Sequence, residues 1–450
     1  MIERRTLLAG VGLAGAGAAA LAAPALPARA QARPEIQFWY GLAGVLGERV
    51  AEQVKRFNDS QSAVTVVPSF KGSYIEVMTG AIAAWRAGNP PHIVQIFEVG
   101  TATMMAAGPA IRPTHQLLAE AGVTLDPKQY LAGVRGYYSD TQGRLVSMPH
   151  NSSSAVMWIN LDAFEKAGLS TTDLPKTWAQ LRAATEKLKA ANATAYPMTT
   201  SWPTWVMFEQ MASIHDVPFA TQSNGFEGMN AELRLTGPFF QRHVDFLLAL
   251  QREGLFRYGG RDNTADALFV NGEAAISCMS SALRSRVERE AKFKWASVPL
   301  PYHADVVQTP KNGVIGGASL WTLTSRTRTP AEYRGIAEFF RFISQPEQDL
   351  WWHKATGYVP ITTAAYERAK AEGYYRENPG ADAAITQLSR AEPTPNSMGF
   401  RLGNFIEIRN IIQEELEKAF QGQQTAAQAL ENANRRGNVA LRNFERANRA

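Results

Sequence analysis

The sequence predicts a two-lobed α/β protein, and three observations carry that expectation. Its 450 residues, 45% hydrophobic and 19% charged, exceed what one hydrophobic core usually supports, so two lobes of ordinary globular protein are expected. From Glu35 onward, short apolar runs alternate with segments of helical spacing, the rhythm of βαβ units on a largely parallel sheet. Val314 to Leu323 reads as a buried strand entered through Gly316-Gly317, placed where the chain would return from one lobe to the other. Glycine lets another group come close to the backbone; that group is either a ligand or the chain's own strand-entry turn.

Residues 1–32 read as a cleaved export signal. Arg4-Arg5 precede a Gly/Ala/Leu run from Leu7 to Ala23, and Ala28-Arg29-Ala30 and Ala30-Gln31-Ala32 each offer a small-residue cleavage pattern. The arginine pair fits a twin-arginine signal, although Thr6-Leu7-Leu8-Ala9 follows it. The run is short and poor in Leu and Ile for a spanning helix, and no later stretch is long enough to cross a bilayer. The formal charge is +5 with Lys and Arg scattered, which excludes the basic face that nucleic acid requires. Cys278 is the single cysteine, so there is no internal disulfide and no lipid-anchoring thiol near the cleavage pattern. A soluble, exported, periplasmic monomer is expected.

Ligands of such sheets bind beyond the carboxyl ends of strands, which directs attention to residues that follow apolar runs. Tyr74 follows Phe70-Lys71-Gly72-Ser73, and Glu98 ends Ile93 to Phe97. A carboxylate there accepts from ligand hydroxyls, balances a cation, or caps the helix from Thr101 to Ala107. Leu145 to Ile159 reads as strand, polar break, strand, with His150 to Ser154 a hydroxyl-rich crossing between lobes that serves a ligand or its own turn. Trp202 and Trp205 are spaced to share a helix face after Ser201, either stacking on a ligand or filling core. Ala274 to Met279 is a strand ending at Ser280-Ser281-Ala282 before a helix, a geometry that offers amides to an anion or merely an N-cap. Thr356 to Ile361 is a further expected crossing. Arg409 sits near the start of the terminal helical segment, where a cation gains nothing from the helix dipole; it meets an anion or lies solvated.

There is no H-E-x-x-H, no zinc-like Cys/His spacing, no G-x-S-x-G, no Walker loop and no G-x-G-x-x-G. A binding protein needs only a cleft with satisfied polar groups, so no enzyme, cofactor or metal is expected.

Together, Phe70-Lys71-Gly72-Ser73-Tyr74, Phe97-Glu98-Val99-Gly100-Thr101, Asn151-Ser152-Ser153, Gly316-Gly317-Ala318-Ser319-Leu320-Trp321, Thr356-Gly357-Tyr358, Asn378-Pro379-Gly380 and Arg401-Leu402-Gly403-Asn404 resemble the periplasmic glycerol-3-phosphate-binding proteins of Ugp-type ABC importers. The resemblance implies a Venus-flytrap, maltose-binding-protein-like fold with the ligand cleft between lobes. The N-terminal lobe would comprise 33–149 plus 313–358, and the C-terminal lobe 150–312 plus 359–450. It also implies ligand-binding roles for Tyr74, Glu98, Ser153, Trp202, Trp205, Ser280, Gly317, Tyr358 and Arg409, of which Ser280 departs most from the family pattern at its flanks. Arg409, Ser hydroxyls and the Gly317 amide would hold a phosphate, while Glu98 and the tryptophans would hold glycerol hydroxyls or a choline ammonium. The ligand is then glycerol-3-phosphate or a glycerophosphodiester such as glycerophosphocholine, and the partners are the importer's membrane permease subunits. Arg409→Ala is expected to remove affinity and leave the fold intact. A sugar-binding importer component is the nearest rival, and a secreted phosphodiester hydrolase is a rival of another class.

Overall fold

The structure is a computed structural model that describes residues 33–449; the expected export signal at 1–32 lies outside them. Among the described residues no helix is long and apolar enough to cross a membrane. The strands are β1 (Glu35–Tyr40), β2 (Thr65–Phe70), β3 (Ile93–Phe97), β4 (Ile111–Arg112) and β5 (Met148–Ser153), followed by β6 (Ala155–Asn160), β7 (Tyr196–Thr200) and β8 (Arg257–Tyr258). Then come β9 (Ala274–Ser280), β10 (Trp295–Pro299) and β11 (Gly316–Leu323). They form two sheets, one ordered β2-β1-β3-β11-β4 with β5 also on β11, the other β10-β6-β9-β7-β8.

The opening βαβ units fold as their periodicity requires, with β1 parallel to β2 and β3. Beyond them the sheets are mixed: β7 is parallel to β8 and β9, but other strands are not. β11 runs antiparallel to β3, β4 and β5, and β6 antiparallel to β9 and β10. These strands enter by crossing between sheets rather than through a helical crossover, so nothing constrains them to be parallel.

The hydroxyl run at 150–154 is not a polar break. Asn151, Ser152 and Ser153 are strand residues of β5, Ala155 opens β6, and all are buried. A run buried on both sides hydrogen-bonds to neighbouring strands instead of to its own turn, and Ser154 Oγ donates to the Val314 carbonyl at 3.2 Å. The first crossing therefore falls at Ser154. At Thr356 to Ile361, the other expected crossing, the chain touches elements of both sheets, Gly357 lying against Ser281 and Arg284. The helix Pro346–Thr356 ends on Gly357 in a left-handed conformation, but Val359 N–H donates to Ser152 O at 2.8 Å and Leu131 N–H to Ile361 O at 2.9 Å, both back on first-sheet elements. Further on, the Gly380 carbonyl accepts from Ser297 Oγ of β10 at 3.0 Å.

Ser73 and Glu76 form a reciprocal cap on the helix Tyr74–Arg86, and Thr177 and Gln180 one on Trp178–Ala190. Trp202 and Trp205 do not share a helix face. Trp202 is left-handed at φ 49°, its N–H donating to Asp262 O at 2.7 Å, and a π-helical turn Trp205–Glu209 begins beyond it. The following Pro203 disfavours a helical Trp202.

Candidate functional site

The ends of five strands converge where the chain passes between sheets. The carboxyl ends of β3, β5 and β9 lie there with the start of β6 and the Gly316-Gly317 step of β11, because Ser153 pairs with Gly316 and Ala155 with Ser280. Into this junction projects the helix Phe405–Phe420.

Arg409 on that helix is 8% exposed, so it is not a solvated surface group. Its Nε donates to Glu209 Oε1 and its Nη2 to Glu209 Oε2 and Glu98 Oε1, each at 2.7 Å. Glu98 follows β3 of the first sheet, whereas Glu209 and Arg409 belong to elements of the second, so the ion pair spans the cleft. Burial alone would lower the guanidinium pKa; Glu209 and then Glu98 outweigh it and raise it. Burial raises the Glu98 carboxyl, with Arg409 opposing. Among the described residues Nη1 has no hydrogen-bond partner. The capping role for Glu98 gives way, since the helix Thr101–Ala106 carries no side-chain cap.

A second group of bonds orients the aromatic face. Gln95 Nε2 donates to Asn151 Oδ1 at 2.9 Å, and Asn151 Nδ2 donates to the Tyr74 hydroxyl at 2.9 Å. The Tyr74 ring stacks on Phe97 with centroids 5.4 Å apart. Tyr358 stacks on Trp352 at 6.0 Å, and the Tyr74 and Tyr358 hydroxyls lie close enough for each to act on the other's ionisation.

The glycine step is forced by the chain itself. Gly317 has φ +102°, and a Cβ there would stand 1.9 Å from the Asn151 carbonyl oxygen; one at Gly316 would meet the Trp205 ring at 2.4 Å. The close group at Gly317 is thus the neighbouring strand, and the strand-entry turn is replaced by glycines lying inside β11. Trp205 is buried against this step. Trp202 stays half-buried and lines a pocket of about 430 Å³ including its open mouth, together with Ile75 and Phe97 on one side and Asp262, Ile406 and Arg409 on the other. Ser280 Oγ accepts from Ala282 N–H at 3.2 Å, the N-cap arrangement, while the buried Ser281 hydroxyl beside it has no partner among the described residues.

The structure thus brings Glu98 and Arg409 into contact, sets Tyr74 beside Tyr358, and gathers Ser153, Ser280, Gly317 and Trp205 at the strand junction. Sequence reasoning missed Glu209, Asn151 and Asp262. Glu209 had a signal, being a lone charge in the run Val206-Met207-Phe208-Glu209-Gln210-Met211, since a carboxylate on a buried turn requires a cation. Asn151 lay within a motif read only for its serines.

The profile of the bacterial extracellular solute-binding proteins matches residues 52–383. The sn-glycerol-3-phosphate-binding periplasmic protein UgpB of Yersinia pseudotuberculosis is 42% identical over 423 residues, 94% of this chain and 95% of its own. That of Salmonella typhimurium is 41% identical over 94% of this chain and 96% of its own. The crystal structure of UgpB from Mycobacterium tuberculosis in complex with glycerophosphocholine superposes with a TM-score of 0.73 at 20% identity, covering 91% of this chain and 99% of that one. The GacH receptor of Streptomyces glaucescens, solved unliganded and with acarbose, gives 0.74 at 15% identity, covering 92% and 99%. The two-lobed, maltose-binding-protein-like architecture is common to phosphodiester and sugar binders alike. On the profile match and on identity across nearly the whole chain, this protein belongs to the bacterial extracellular solute-binding family.

Proposed function

We propose that the protein is the periplasmic capture component of an ABC importer, taking glycerol-3-phosphate and glycerophosphodiesters such as glycerophosphocholine and presenting them to membrane permease subunits without chemical turnover. The observation that carries this reading is the Arg409 guanidinium, buried at the junction of the two sheets and lining the same pocket as Trp202. The identity of 41–42% to glycerol-3-phosphate-binding relatives supports it. In this reading Arg409, Ser153, Ser280 and the Gly317 amide hold the phosphoryl oxygens. Glu98, Tyr74 and Tyr358 take the glycerol hydroxyls, and Trp202 forms the apolar wall, with Trp205 packed behind it against Gly316. Binding then transfers Glu98 from Arg409 to the ligand, which couples ligand contact to the interface between lobes. In this reading the first sheet, β1 to β5 with β11, belongs to one lobe and the second sheet, β6 to β10, to the other, and the protein works as a monomer.

One observation favours a sugar instead: two carboxylates on one arginine leave the site without net positive charge. Calorimetric titration with glycerol-3-phosphate, glycerophosphocholine and maltose decides between the two. Binding of either phosphate ester with maltose ignored is the expected result; the reverse overturns the reading, and choline released from glycerophosphocholine would favour a hydrolase.

A further inference from the structure

The pocket beside Arg409 holds a carboxylate that the ion pair does not use. Asp262 follows β8 and lines that pocket together with Trp202 and Arg409. Trp202 and Asp262 are tied to each other: the Trp202 N–H donates to the Asp262 carbonyl at 2.7 Å, and both residues are left-handed, at φ 49° and 48°. Left-handed backbone at a non-glycine residue is costly and persists only where its surroundings fix it. The two residues therefore stand on the pocket wall as one unit.

The protein itself claims neither side chain. Arg261, next to Asp262, gives its guanidinium to Glu417, with Nε and Nη2 2.9 and 2.5 Å from the two carboxylate oxygens. The Asp262 carboxylate has no hydrogen bond among the described residues; partial burial raises its pKa, and the charges of Arg409 and then Arg261 oppose that rise. Tryptophan faces attract cations, and Trp39, Trp295 and Trp351 each carry one of the protein's own, Lys71, Arg284 and Arg56 at 4.6, 5.1 and 4.5 Å from the ring centre. Trp202 carries none among the described residues. The charge around it has a sign. Arg409 already meets Glu98 and Glu209, Asp262 adds a third carboxylate, and Arg261 is balanced by Glu417. A phosphate monoester brings close to two further negative charges to such a pocket and nothing positive. A phosphodiester with an ammonium head brings one of each sign, and its cation has a carboxylate and an indole waiting for it.

We propose that Trp202 and Asp262 form the subsite for the cationic head of a zwitterionic glycerophosphodiester, the ammonium lying on the indole with the Asp262 carboxylate as its counter-charge, so that Asp262 sets the preference for such a diester over glycerol-3-phosphate. The inference rests on the proposed function and names the ligand class within it. Asp262→Asn removes the charge and keeps a residue that tolerates left-handed backbone. It should weaken glycerophosphocholine about three- to fivefold and leave glycerol-3-phosphate as strong or stronger, since the carboxylate removed repels a phosphate dianion.

The test is calorimetric titration of the wild type and Asp262→Asn with glycerophosphocholine, glycerophosphoglycerol and glycerol-3-phosphate, with urea unfolding of both in the absence of ligand. The wild type should bind glycerophosphocholine more tightly than glycerophosphoglycerol, a diester with an uncharged head, and the variant should lose that difference at an unchanged urea midpoint. The ratio of two affinities in one sample does not depend on the fraction folded, so the comparison holds even where the variant is less stable. Equal wild-type affinity for the two diesters, or an unchanged ratio of glycerophosphocholine to glycerol-3-phosphate affinity in the variant, would overturn the inference while leaving the proposed function standing. A wild type that binds maltose and none of the phosphate esters would overturn the proposed function, and this inference with it.

Discussion

Arg409→Ala removes the one cation bonded to Glu98 and Glu209 among the described residues. The two carboxylates remain, at 4% and 1% exposure. Breaking a buried ion pair by deleting one partner costs about 3–5 kcal/mol, and here two like charges are left side by side. The sequence alone led to the expectation that this variant would lose affinity and keep its fold; the burial of the triad adds a loss of stability. The pH dependence identifies the cause. Burial already raises Glu98 with Arg409 in place, and losing the guanidinium raises it further. A carboxyl whose folded pKa lies above its unfolded value opposes folding when ionised and ceases to do so once protonated. The deficit relative to wild type should therefore be full, about 3–5 kcal/mol, at pH 8 and shrink as pH falls toward 5. Urea unfolding followed by far-ultraviolet circular dichroism at the two pH values measures it, and adding Glu209→Gln should recover part of the loss at pH 8. A variant with the wild-type midpoint at pH 8, or an equal deficit at both pH values, would refute the reasoning.

Trp202→Ala should weaken ligand binding with little effect on urea stability, whereas Trp205→Ala should cost about 3–5 kcal/mol of stability through the cavity it leaves against Gly316; similar stability losses in both would contradict the division between them. Gly317→Ala forces a side chain into a left-handed position and against the Asn151 carbonyl, so a loss of roughly 3 kcal/mol or more, or failure to fold, is expected in the same assay. His215, His243 and His303 form a buried cluster in which His243 Nδ1 and His303 Nε2 lie 3.0 Å apart and His303 N–H donates to His215 Nε2 at 2.8 Å. Burial pushes His215 and His303 down to about 4 and lowers His243 as well. Groups held below their unfolded pKa stabilise the fold fully above about pH 6.5 and lose that contribution as pH falls toward 4. Thermal melts should accordingly fall across this window, and a flat profile would contradict the cluster's neutrality.

Local chemistry was legible where one segment decides its own conformation. The apolar runs of β1 to β3, separated by segments of helical spacing, announce parallel strands. The crossings were not legible in the same way. His150 to Ser154 has the composition of a turn, and only the neighbouring β11 makes it a strand, since a serine hydroxyl that would close its own turn is satisfied by Val314 O instead. The fate of such a run is fixed by what lies beside it, which sequence spacing does not record. Trp202 is the reverse case: the proline after it already argued against a shared helix face, and the spacing of three drew attention away from that signal.

The site was legible as a set of residues and not as a set of bonds. Glu98 and Arg409 were each picked out, one as a carboxylate after a strand and the other as a cation on the wrong end of a helix, yet 311 positions separate them and neither local argument pointed to the other. Arg409 bonds Glu98 directly and Glu209 as well, and no motif contains Glu209. A lone arginine facing a phosphate and an arginine already held by two carboxylates are different instruments. The first attracts any anion, whereas the second attracts one only if the ligand also gives Glu98 something to hold. If Glu98 is what a ligand's hydroxyls must satisfy, inorganic phosphate should bind far more weakly than glycerol-3-phosphate although both carry the same charged group. Glu98→Gln, which cannot oppose the guanidinium with a full charge, should narrow that gap. Calorimetry that finds inorganic phosphate as good a ligand as glycerol-3-phosphate in the wild type would show that the carboxylates do not set the selectivity.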